Sequence, residues 1–376
     1  MAVLKCINCG QSVEVKENEV AVCSQCGTVQ PAQVPTKKRK SKIGRALAII
    51  IPSGSCLFAA IGAVVLAAIS AIVLLIIAVV LCIVLMPTAK YYQGIQLYEA
   101  EKYTEAIAVF EDLDGFWDSE SKIAECQIAI LDAQYDDALA LMASGQYEEA
   151  YSLFEKIPDH KDSERMMFEI QVRQIKDTFK NCEVGDFVIF GSCEQDGNTF
   201  NGKEQILWKV LDITGSKILL ISHYGLDCKP YSNYNLHVSW ESSSLRKWLN
   251  EEFLDSAFSM QEQSAIADTY VTADENPEYY TDPGLPTQDK VFLLSIKEAQ
   301  KYFHSDAARV CSPTEYAIAN GAWTNRNGVG WWWLRSPGVY YDDAACVIND
   351  GSIYMRGDDA ITDNNMVRPA LYVDIS

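Results

Sequence analysis

The longest apolar run, CLFAAIGAVVLAAISAIVLLIIAVVLCIVLMP from Cys56 to Pro87, contains no charged residue. About 20 such residues cross the hydrocarbon core of a bilayer. The run predicts a transmembrane helix within an uncharged segment, 46–86. Two spans would need a tight hairpin at Pro52-Ser53-Gly54 with no polar loop, so the pattern favours one. Past the run, residues 87–180 show helical spacing. YTEAIAVFEDLDGFWDSE from Tyr103 and YEEAYSLFEKIPDHKDSE from Tyr147 match at an offset of 44, with eight of eighteen positions identical. Ala106, Phe110, Ala150 and Phe154 fall on their inward faces. Asp118-Ser119 and Asp162-Ser163 suit the start of a second helix, with Glu120 and Glu164 in its first turn.

From about 181 the period is mixed. Asp186–Phe190, Gln205–Asp212 and Ser216–Ser222 read as strands, the last two joined at Thr214-Gly215. Ser239-Trp240-Glu241-Ser242 opens a predicted helix with Leu245, Trp248, Leu249 and Phe253 on one face. A strand Lys290–Ser295 and a helix over 297–303 follow. Ser312-Pro313-Thr314-Glu315 reads as a capping box ended by Gly321. The tryptophan segment, Ala344–Asn349, Ser352–Met355 and Val367–Val373 complete an α+β domain, 181–376.

Charge divides the chain the same way. Residues 1–45 carry eight Lys/Arg against three Asp/Glu, a net of +5, within a total of −20. Residues 87–180 carry nine against twenty, and 181–376 fourteen against twenty-eight. Such an acidic bulk excludes nucleic acid as a partner, since phosphate needs facing cations. Lys37, Lys38, Arg39, Lys40, Lys42 and Arg45 form a basic juxtamembrane linker, 31–45, while only Lys90 closely follows the span. The positive-inside rule then predicts a single-pass cell-membrane protein with a cytoplasmic N-terminus and extracellular C-terminal domains. The short core and early position of a signal peptide are not seen here.

Residues 1–30 carry two CxxC pairs, Cys6/Cys9 and Cys23/Cys26, each followed by glycine. Four thiolates suit tetrahedral zinc. Ser12–Val15 and Glu19–Val22 between them read as a hairpin. The arrangement resembles a zinc ribbon, with structural zinc holding a segment too short for its own core. The 44-residue match resembles a degenerate tetratricopeptide-like repeat, whose helix pairs bury their faces by stacking. The expected fold is thus multidomain: zinc ribbon, transmembrane helix, all-α repeats and a C-terminal α+β domain.

In that last domain, SSSLRKWLNEEFLDSAFS, DKVFLLS, WWLRSPG, DGSI and VRPALYV resemble an uncharacterised family of bacterial extracytoplasmic domains. These often follow a zinc ribbon and a membrane span. That family in turn resembles the C-type-lectin-like fold of formylglycine-generating enzymes. The resemblance implies a central strand at Trp331–Trp333 with at least two of the tryptophans in the core. One remains as a stacking surface for sugar or peptide. Arg335 and Arg368 are the expected buried cations, with Asp350 or another loop aspartate as partner. The reactive cysteine pair of those enzymes has no counterpart, since Cys311 and Cys346 stand far apart.

No HExxH, G-x-S-x-G or phosphate loop is present. His223, His237 and His304 lack an obvious partner. Six cysteines follow the span (126, 182, 193, 228, 311 and 346), an even number without a disulfide framework, Cys182 and Cys193 being nearest. The loops YYDD, NDG, GDD and TDNN make calcium a second candidate cofactor, although the same residues favour plain turns. The expected ligand-binding set is Trp331, Trp333, Arg335, Asp342, Asp343, Asn349 and Asp350. The function expected is binding or sensing of an extracellular glycan, cell-wall fragment or protein. Alternatives are a scaffold acting through the repeats and an enzyme of a type that the motifs do not reveal.

Overall fold

The computed structural model describes residues 2–5, 12–15, 21–22, 29–30, 55–234 and 237–376, in two compact units, Met1–Leu81 and Cys82–Ser376. In the first unit, β1 (Ala2–Lys5) pairs with β2 (Ser12–Val15), and β3 (Ala21–Val22) with β4 (Val29–Gln30). The expected hairpin between Ser12–Val15 and Glu19–Val22 is replaced by pairing outward. The apolar alternation of Ala2–Lys5 supplies the partner strand that the sequence reading overlooked. In chain order each CxxC falls between the two strands of one pair. Cys6, Cys9, Cys23 and Cys26 themselves lie outside the described residues.

Helix α1 spans Ser55–Val80. A π-helical turn, Leu81–Leu85, leads to α2, Met86–Glu99. Pro87 lacks an N–H and crowds the carbonyl four residues back, which the wider turn absorbs. The stretch Val64–Glu99 is one helix long and apolar enough to cross a membrane.

Helices α3 (Tyr103–Glu111), α4 (Ser119–Ala143), α5 (Tyr147–Phe154) and α6 (Ser163–Thr178) follow. The offset of 44 is conformational as well as sequential. Tyr91 Oη donates to Asp118 Oδ1 at 2.6 Å, and Tyr135 Oη donates to Asp162 Oδ1. Two left-handed positions recur too, Glu101 (φ 58°) with Gly145 (φ 80°) and Trp117 (φ 53°) with Lys161 (φ 50°), whereas Asp114 and Gly115 are left-handed in the first copy alone. Ala106, Phe110, Ala150 and Phe154 are fully buried, as their spacing predicts. The last helix does not end as a free stalk. Phe179 enters the core of the following domain, Gln261 Nε2 donates to Gln171 Oε1 at 2.7 Å, and Lys176 Nζ to the Ser376 carbonyl at 3.0 Å.

The C-terminal domain is rich in sheet. Strands β5 (Phe187–Cys193), β6 (Glu204–Thr214) and β7 (Lys217–Ser222) form an antiparallel meander, with Gly215 at φ 61° in the two-residue turn between β6 and β7. There follow β8 (Asp227–Cys228), α7 (Ser244–Trp248), a π-helical turn Leu249–Phe253, α8 (Leu254–Ala257) and α9 (Met260–Ala265). Next come β9 (Thr269–Val271), β10 (Thr287–Asp289), β11 (Val291–Phe292), α10 (Ile296–Tyr302), α11 (Asp306–Arg309) and α12 (Glu315–Ala319). The closing strands are β12 (Trp332–Pro337), β13 (Asp343–Val347), β14 (Ile353–Asp359), β15 (Met366–Val367) and β16 (Ala370–Asp374).

Two five-stranded sheets result, ordered β11-β16-β7-β6-β5 and β14-β13-β12-β15-β8. The first is wholly antiparallel; the second has one parallel pair, β12 with β15. Arg368-Pro369 carries the chain from one sheet to the other and splits the strand predicted over Val367–Val373. Arg368 is buried there without a carboxylate. It donates to the Ser222 carbonyl at 3.0 Å and the Arg309 carbonyl at 3.3 Å, and its guanidinium lies 4.9 Å from the Trp332 ring. Two helix starts differ from expectation. Ser243, whose hydroxyl accepts from Leu245 N and Arg246 N, starts α7, and Thr314 rather than Ser312 caps α12. In both cases the nearer hydroxyl reaches the first free N–H groups.

A candidate binding cleft beside Trp331

Every residue of β12 is buried, as in a strand covered on both faces. Trp332 and Trp333 point opposite ways. Trp332 Nε1 donates to the Arg309 carbonyl at 3.1 Å and Trp333 Nε1 to the Lys229 carbonyl at 2.9 Å. Trp333, expected to face ligand, is core. Arg335 is engaged as well. Its Nη2 donates to Glu298 Oε1 at 2.9 Å and its Nη1 to Glu298 Oε2, while the Leu293 and Thr272 carbonyls take further donors. The partner is thus Glu298 on α10, not Asp350. With its donors turned inward, Arg335 offers none to a ligand.

Trp331, one residue before the strand, is different. It is half-buried, and its Nε1 donates to Asn349 Oδ1 at 3.1 Å. Its ring meets Trp323 edge-on at 6.1 Å and Tyr354 at 6.3 Å. Trp323 is 45 % exposed, held by its backbone N–H on the Asn364 carbonyl at 3.0 Å. The loop doubles back through a bridge between Thr324 and Gly330. A Cβ at Gly330 would overlap the Trp323 carbonyl oxygen, so only glycine permits this approach.

Trp323 and Trp331 line a cleft of about 400 Å³ together with Asp358, Thr362, Asn364 and Asn365. Asn365 is only 1 % exposed. Its Nδ2 donates to Asp358 Oδ2 at 3.0 Å, which fixes the amide orientation, and its Oδ1, shielded from solvent, has no partner among the described residues. An unpartnered buried acceptor costs about 1–3 kcal/mol. The cleft therefore offers indole walls over an acceptor-rich floor. Its single carboxylate is half the pair that glycoside hydrolysis employs.

The other expected site residues disperse. Asp343 pairs across the ladder with Asp359; burial, then Asp342, Asp359 and Asp358, raise its pKa. Asp342 supplies a backbone carbonyl to Ala360 N, and Asp350 accepts from Ser352 in a turn. Asn349 orients Trp331. Among the described residues, the acidic side chains that do converge are Glu194, Asp196 and Glu204, with ligand atoms within 4.8 Å of one another. Burial, then Asp196, pushes the Glu194 carboxyl up, while Asn201 and the Asn198 backbone hold Asp196 down. That group could hold a divalent cation, and the sequence reading missed it. Its signal was the Glu-Gln-Asp-Gly-Asn run at 194–198. Cys126, Cys182, Cys193, Cys228, Cys311 and Cys346 are all free thiols. His223 is flanked by Phe187 and Tyr224, and His237 stacks on Tyr341.

Trp323 and Asn365 were also missed. The visible signal for Trp323 was a second tryptophan eight residues before Trp331, across an Asn/Gly-rich turn. No signal marks Asn365, whose importance lies in a missing partner.

The chain has no match among curated proteins and none among solved structures. One family model does match, over residues 215–375, from the turn between β6 and β7 almost to the C-terminus, and its description is a domain of unknown function, DUF6273.

Proposed function

We propose that the chain is a single-pass membrane protein whose C-terminal domain binds an extracellular glycan or cell-wall saccharide in the Trp323–Trp331 cleft. The observation that carries this reading is the indole-walled cleft itself, in which Trp323 and Trp331 stand beside the polar side chains of Asp358, Thr362 and Asn364. A saccharide supplies hydroxyl donors for Asp358 and Asn364, and apolar ring faces for the tryptophans. A protein ligand fits less well, because the cleft is small and its floor acceptor-rich. The resemblance to a lectin-like fold points the same way and stands on the sequence motifs alone.

The rest of the architecture follows from sequence. The basic segment before the apolar helix places the N-terminus in the cytoplasm. There Cys6, Cys9, Cys23 and Cys26 bind structural zinc. Calcium at the acidic loops is a secondary proposal.

The test applies the full chain in nanodiscs to an array of glycans and cell-wall fragments, with and without calcium. Saturable binding lost in Trp323→Ala, with the fold retained, is the expected result. Trp333→Ala should instead destabilise the domain by about 3–5 kcal/mol. Absence of saccharide binding under both conditions, or binding untouched by Trp323→Ala, would sink the reading.

A further inference from the structure

The two helical repeats provide an internal comparison. They share two left-handed positions, their Tyr–Asp hydrogen bond and their buried Ala and Phe positions. They differ in character at one exposed corner. Tyr92, Phe116 and Trp117 in the first repeat correspond, 44 residues on, to Asp136, His160 and Lys161 in the second. In the second copy the corner is polar: His160 Nε2 and Lys161 Nζ lie 2.9 and 2.8 Å from Asp132 Oδ1, and Lys161 Nζ sits 4.7 Å from the Tyr135 ring centroid. In the first it is an aromatic cluster. The Trp117 ring stacks on Phe116 at 4.8 Å and meets Tyr91 at 4.9 Å and Tyr92 at 6.3 Å. Tyr92 and Trp117 are each 58 % exposed.

The fold does not require aromatics at this corner, because Lys161 takes the left-handed φ of Trp117 and the Tyr–Asp hydrogen bond persists beside charged residues. Their reason lies outside the fold. The apolar run ends at Met86-Pro87, in the same unit and on the same helix. Tyr92 is six residues further, about 9 Å along the axis at the helical rise. Beyond the hydrocarbon, the headgroup layer is roughly 5–8 Å deep on each side, so Tyr92 stands at its outer edge. Tryptophan and tyrosine are the residues that concentrate there, with apolar ring and polar edge both satisfied. The charged corner of the second repeat belongs to the copy further from the bilayer along the chain.

We infer that Tyr92, Phe116 and Trp117 form a membrane-docking surface that seats the first repeat in the headgroup layer of the bilayer entered by the Val64–Glu99 helix. The inference rests on reading that helix as a membrane span. It adds a second attachment, so the repeats stand on the bilayer by a side surface as well as by the helix.

The test uses the full chain in nanodiscs, with tryptophan emission quenched by lipids brominated near the headgroup. All eight tryptophans lie after the apolar run. Trp117→Phe keeps an aromatic ring and removes one emitter, so the difference between wild type and variant isolates Trp117. Quenching of that difference emission is expected. It should vanish from the spectra of the Tyr92→Asp/Phe116→His/Trp117→Lys variant, which carries the residues the second repeat already accommodates. An unquenched Trp117 component in protein that resists alkaline extraction would overturn the docking surface and leave the span intact. Protein released from the bilayer by alkali would overturn the span, and this inference with it.

Discussion

Glu298 does two jobs with one carboxylate. Its Oε2 accepts from the Ser295 backbone N–H at 2.8 Å, closing the capping box of α10, and also from Arg335 Nη1. Removing the cap alone, in Ser295→Ala, should cost about 1 kcal/mol. Removing the charge, in Glu298→Gln, leaves the Arg335 guanidinium buried with Asp274 as its nearest carboxylate, 3.8 Å away. Breaking such a pair costs about 3–5 kcal/mol. Urea unfolding followed through the C-terminal tryptophans separates the two. Equal small losses in both variants would show that the ion pair contributes nothing. From sequence, Arg335 reads correctly as a buried cation, because a cation inside a run such as WWWLRSP has nowhere else to go. Its partner lies 37 positions away on a helix, and no local pattern announces it.

Among the elements, the local ones were legible and the non-local ones were not. The β6–β7 hairpin follows from alternation and Thr214-Gly215. The repeat helices follow from Ala and Phe spacing and from the Asp-Ser starts. The pairing of β2 with β1 is local and its signal, the alternation of Ala2–Lys5, was overlooked; the insertion of β16 between β11 and β7 depends on partners that spacing cannot specify. Of the cleft, Trp331 could be read from sequence; the missing partner of Asn365 could not. The repeat elements carry a pH prediction of their own. The hydrogen bond to Asp162, then burial, pushes the Tyr135 phenol up to about 12 from 10.0. The folded state therefore holds this proton more tightly than the unfolded chain. The stability it contributes is complete below pH 10 and is lost as pH climbs toward 12. Tyr135→Phe lacks that dependence. The difference in unfolding midpoint between wild type and Tyr135→Phe should narrow over this interval; a constant difference would contradict the assignment.

At the scale of the whole molecule, the paired strands of residues 2–30 fall in one compact unit, Met1–Leu81, and the helices and sheets of residues 82–376 in another. If Cys6, Cys9, Cys23 and Cys26 hold zinc, the purified chain carries one zinc per molecule. A strong chelator then frees four thiols and leaves the unfolding transition of residues 82–376 where it was. Metal analysis and a thiol titration check this together. A chain without zinc, with all four thiols reactive from the start, would refute it. The order of strands has another consequence, in time rather than space. The last strand made, β16, is not an edge but joins β11 to β7. As the chain is synthesised, β5, β6 and β7 can pair as they appear, while β11 has no neighbour until residues 370–374 arrive. The first sheet therefore stays open until residues 370–374 emerge, and loss of that one strand leaves β11 without its partner.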